Sequence, residues 1–136
     1  RGDPEPAVAL GAALAALGEC TAAAGASPGS SEAAQAALRA GAACVVRALE
    51  EGYGAALRID RAHPQALVGA AEAHTTLAKW AAQAGDGAGA ASHASCAVAH
   101  YEAALAAPHK LGGFSDRCDV RYNAACVLAQ VAGRAE

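Results

Sequence analysis

Residues 53–74 read YGAALRIDRAHPQALVGAAEAH, and the opening of that stretch returns at residues 101–105 as YEAAL. Tyr53 to Ile59 is helix-compatible, Asp60–His63 is a turn, and Pro64 suits the first turn of the next helix, where a backbone N–H has no intrahelical partner to lose. Beyond the turn, Leu67, Ala70, Ala71, His74, Leu77 and Ala78 recur at helical spacing and predict one buried stripe. The spacing of Tyr53 to Ala56-Leu57 is matched by Tyr101 to Ala104-Leu105, a self-similarity of the kind repeat architectures carry.

Composition extends this reading to the whole chain. Of 136 residues, 44 are Ala, 54% are hydrophobic and only 4% are aromatic, so the core must come from close backbone approach rather than from large side chains. Ala has the highest helix propensity and β-branched residues are scarce, which predicts an all-α fold. Ten Lys and Arg residues are scattered through a chain of net charge -3, without the basic stripe that phosphate binding requires, and this excludes a nucleic-acid partner. Gly, Glu, Arg or Gln interrupts each apolar run before about 20 residues, so membrane insertion is not expected. Five cysteines without CxxC spacing (Cys20, Cys44, Cys96, Cys118, Cys126) read as free thiols and point to an intracellular, reducing compartment, the cytoplasm or an organelle interior. The chain has no Met and opens with RGDPEP; residues 1–136 are read as a single helical-repeat domain from a longer protein.

Along the chain, Pro4 and Pro6 open a first helix with a stripe of Ala7, Leu10, Leu14 and Leu17, ended by Gly18 or Gly25. GASPGSS forms a loop, and Ser30 or Ser31 caps a second helix from Glu32 to Ile59, with breaks expected near Gly41 or Gly52. The Gly-rich segment 83–92, QAGDGAGAAS, reads as a flexible surface loop. A fourth helix with Ala97, Tyr101, Ala104 and Leu105 on one face stops at Pro108. After the loop LGGFSD, Ser115 or Asp116 caps a fifth helix from Arg117 to Ala132.

The repeated segments resemble the tetratricopeptide repeat, whose second helix carries a small residue, an aromatic and Ala-Leu. Ala97, Tyr101, Ala104 and Leu105 follow that pattern, as do Tyr53, Ala56 and Leu57. Leu10-Gly11 with Leu14, then Leu17-Gly18, resemble the first helix of the family's unit, and Tyr122-Asn123-Ala124-Ala125 with Leu128 more loosely so. The resemblance implies antiparallel helix pairs stacked as a right-handed solenoid, with Ala124 and Ala125 filling the slot where two helices cross. It also implies a concave groove lined by the first helix of each pair. The groove candidates are then Gln65, Val68, Glu72, Thr75 and Lys79 from the third helix, and Asp119, Tyr122, Asn123, Cys126 and Gln130 from the fifth. Family members that clamp chaperone C-terminal carboxylates use Lys, Asn and Arg. The comparable places here carry Val8, Ala12, Gly69 and Asp119, only Asn123 fits, and chaperone tails are not expected as partners.

No nucleophile elbow, phosphate loop or paired carboxylates in an apolar setting is legible, so the expected function is non-enzymatic, without a cofactor: a protein-interaction module, adaptor or subunit that takes another protein or peptide segment. The alternative reading is a metal-binding helical protein, because HASCAVAH places His93, Cys96 and His100 on one helical face with donors suited to Zn²⁺ or Cu.

Overall fold

The computed structural model describes residues 2–24, 31–106 and 114–135, and every regular element among them is helical. Helix α1 (Glu5–Ala24) begins just after Asp3, whose Oδ1 accepts the Glu5 N–H at 3.0 Å. Helix α2 (Ser31–Arg47) runs into a π-helical turn (Ala48–Tyr53) and then α3 (Gly54–Ile59) without leaving right-handed helical geometry at Arg47 or Gly54. The Gly54 N–H reaches back to the Leu49 carbonyl. The expected breaks at Gly41 and Gly52 therefore do not occur. Helices α4 (Pro64–Gln83), α5 (Gly87–Leu105) and α6 (Phe114–Ala135) complete the order.

The start of α4 is fixed by His63, which is buried. Its Nδ1 accepts the Ala66 N–H at 3.3 Å, an N-cap, so the ring proton sits on Nε2 and is donated to Glu5 Oε1 at 2.8 Å. One side chain thus caps α4 and fastens the first residue of α1 beside it.

Helices α1 and α2 run antiparallel and nearly touch. A Cβ added at Gly18 would lie 2.6 Å from the Gly41 carbonyl oxygen, and one added at Gly52 would overlap the backbone of Gly11. Both crossings exist only because neither partner carries a side chain. This corrects the expected stripe of α1: Leu14 is buried together with Gly11 and Gly18, whereas Leu10 and Leu17 are exposed. By length and composition α1 is apolar enough to cross a bilayer, contrary to the sequence expectation, because its single interior charge, Glu19, is surrounded by Ala, Leu and Gly.

Two apolar clusters flank α4. One joins Leu14, Val45, Tyr53, Ala73 and Leu77; the other joins Leu67, Ala71, Ala97, Tyr101, Val120, Ala124 and Val127, and Leu57 packs against both. The α4 stripe is as expected, with His74 only half-buried. Ala124 is buried but Ala125 is exposed, because α6 presents Val120, Ala124 and Val127 inward and Ala125 lies about 100° round from Ala124.

The segment 83–92 is also corrected. Only residues 84–86 leave the helix, with Gly85 at φ 81° in the left-handed region. Asp86 then caps α5, its Oδ1 accepting the Gly89 N–H at 2.9 Å, and Ala90 and Ala94 are buried against the core, which offsets the low helix propensity of Gly87 and Gly89. Helix α6 starts at Phe114, so Ser115 and Asp116 lie within it rather than before it. The expected loop at residues 25–30, the stop at Pro108 and the loop over Leu111–Gly113 lie outside the described residues.

Candidate interaction groove

Helices α1, α4 and α6 enclose an open groove made of two hollows that share Glu72 and Asn123. The first, about 530 Å³, is lined by Val8 and Ala12 of α1, Gln65, Val68 and Gly69 of α4, Asp119 and Val120 of α6, and Tyr53. The second, about 470 Å³, is lined by Glu19, Thr75, Thr76, Lys79, Tyr101, Cys126, Val127 and Gln130. Nine of the ten groove candidates from the sequence therefore line these hollows. Tyr122 lines neither; it is 70% exposed one position away from the groove-lining Asn123.

Tyr53 shapes the floor. Its ring occupies a slot between α1 and α4 that depends on two glycines: a Cβ at Gly11 would lie 2.9 Å from the ring, and one at Gly69 would overlap it. Burial raises the Tyr53 phenol above its ordinary pKa, with the charges of Glu72 and then Glu19 adding to it. Tyr101 is raised by burial and then by Glu72, while its hydrogen bond with Thr75 acts in the opposite direction.

Glu72 is the electrostatic centre of the groove. Its carboxyl is held above the usual carboxylate range, first by partial desolvation against the groove wall, although the side chain remains exposed, and second by Glu19. The ion pairs among the described residues are Arg47–Glu51 at 2.6 Å on the exposed surface and His63–Glu5, so Glu19, Glu72 and Asp119 all lack a cation there. Glu19 Oε1 receives only a 3.4 Å contact from the Thr76 hydroxyl. The place of Glu19 in this groove was not anticipated from sequence. A lone charge in the interior of an otherwise apolar helix was the available signal.

A histidine cluster lies between α4 and α5. His74 Nδ1 is 3.1 Å from His93 Nδ1, one of them donating, and the His74 ring centroid is 5.4 Å from each of the His93 and His100 rings, stacked on the latter. His100 donates from Nδ1 to the Cys96 carbonyl at 2.7 Å. Burial, then His100 and His93, push the His74 pKa down to about 4. His93 and His100 thus converge on His74 rather than on Cys96, and among the described residues no group of three His, Cys, Asp or Glu is arranged to hold a metal ion. No family model, characterised protein or solved structure matches the chain.

Proposed function

We propose that this chain is a non-enzymatic protein-interaction module, an adaptor or subunit that holds a segment of another protein along α1, α4 and α6. In this reading it is a tetratricopeptide-like right-handed solenoid: α1 pairs with α2–α3, α4 pairs with α5, and α6 opens a third pair. The observation that carries it is the groove itself, since three helices separated in sequence present Val8, Val68, Val120 and Asn123 to one continuous hollow. Stacked helix pairs produce an extended concave surface by geometry alone. A reducing, intracellular setting suits five cysteines that are all free thiols.

The test is a random 12-residue peptide display library panned on the purified chain, with Ala12→Trp as the groove-filling control. Ala12 is exposed and lines the first hollow, so Trp there obstructs the groove without entering the core. Peptides that bind the wild type and lose binding to Ala12→Trp support the proposal. Peptides that bind both equally, or a library that yields none, refute it.

A further inference from the structure

We infer that the segment held in this groove carries a Lys or Arg side chain seated at Glu72 beside Glu19. The inference rests on the groove reading above and adds the chemistry of the occupant. The floor is apolar at Val8, Val68 and Val120, so an occupant gains by burying aliphatic side chains there. Covering that floor also covers Glu72, which lines both hollows.

A carboxylate taken out of water without a cation is costly, and a second carboxylate in the same space increases the cost. Among the described residues, Lys79 is the one cation lining the groove with Glu19, Glu72 and Asp119. Lys79 makes no ion pair with any of them, and Arg47 is held by Glu51 on the exposed surface. A neutral occupant would therefore desolvate Glu72 uncompensated, and an acidic one would add a further like charge. A basic side chain replaces the Glu19–Glu72 repulsion with two attractions, and its N–H groups find acceptors in both carboxylates. Partial desolvation, and after it the charge of Glu19, raise the Glu72 carboxyl above its usual range.

The same panning experiment separates this inference from the groove reading. Selected peptides should be several-fold enriched in Lys and Arg over the unselected library. Their affinity should fall about tenfold or more on Glu72→Gln, fall on Glu19→Gln, and weaken as salt rises. Both glutamates are exposed, so the variants should keep the wild-type helical circular dichroism. Peptides blocked by Ala12→Trp that show no basic enrichment, or that bind Glu72→Gln as tightly as the wild type, overturn the basic occupant and leave the groove intact. Peptides indifferent to Ala12→Trp overturn both.

Discussion

Lowering the pH from 7 to 4.5 should destabilise this protein through one residue, His74. In the unfolded chain His74 takes up a proton near its ordinary pKa of 6.5, whereas in the folded chain it does so only near 4, because burial and the neighbouring rings of His100 and His93 oppose the charge. Between those values the unfolded state binds more protons, so stability rises with pH across that window. The contribution is complete above pH 6.5 and is lost as the pH falls toward 4. Fully expressed, the gap from 6.5 to about 4 corresponds to about 3 kcal/mol. Solvent reaches part of the ring, and screening reduces this to about 1–2 kcal/mol. Glu72 works in the opposite sense, since its raised pKa makes the folded state gain protons as the pH falls. The measurement is therefore a difference: urea unfolding followed by circular dichroism at pH 7.0, 6.0, 5.0 and 4.5, for wild type and His74→Leu. The wild type should lose about 1–2 kcal/mol more than the variant over that range. Parallel pH profiles for the two proteins would refute the burial and crowding of His74 between α4 and α5.

Three further outcomes are expected. Gly18→Ala should cost about 1–3 kcal/mol in chemical denaturation despite the better helix propensity of Ala, because the new methyl would meet the Gly41 carbonyl; an unchanged midpoint would mean that α1 and α2 cross less closely. Ala124→Leu should cost about 1–3 kcal/mol by overpacking the α5–α6 contact, while Ala125→Leu should fall within about 0.5 kcal/mol of wild type; the reverse order would misplace the inward face of α6. Asp86→Ala should cost about 1 kcal/mol by removing the acceptor for the Gly89 N–H, and amide exchange should accelerate at the start of α5; unaltered exchange would remove Asp86 as a cap.

The all-α class and the α4 stripe were legible because Ala-rich composition and a helical recurrence of Leu and Ala agree. The turn at Asp60–His63 was legible from Pro64. The inward face of α1 was not, because periodicity gives weight to large residues such as Leu10 and Leu17, whereas the helix packs through the missing side chains of Gly11 and Gly18. Glycine likewise misled at residues 83–92, where composition suggested a loop but one aspartate and the buried methyls of Ala90 and Ala94 hold a helix. Groove-lining residues of α4 could be named because they lie opposite a recognisable stripe. On α6 the same reasoning slipped by one residue at Ala125 and Tyr122, since a stripe of Val120, Ala124 and Val127 is too sparse to fix a face.

The π-helical turn at Ala48–Tyr53 changes the phase of the long helix that contains it. Up to its first residue, Gly41, Val45 and Ala48 are buried, and Gly52 still continues that row against Gly11; from its last residue on, Tyr53 and Ala56 take over, one residue out of step. A uniform helix would keep one row facing one neighbour. The extra residue rotates the later row by about 100°, so the same helix supplies glycines to α1 and an aromatic ring to the slot at Gly69. Length in this window is therefore constrained in a way residue identity is not. Deleting Glu51, an exposed residue, would close this window into a regular helix in which Tyr53 and Ala56 fall in step with Val45 and Ala48 while Gly52 turns about 100° away from Gly11, whereas replacing Glu51 would leave the present register untouched.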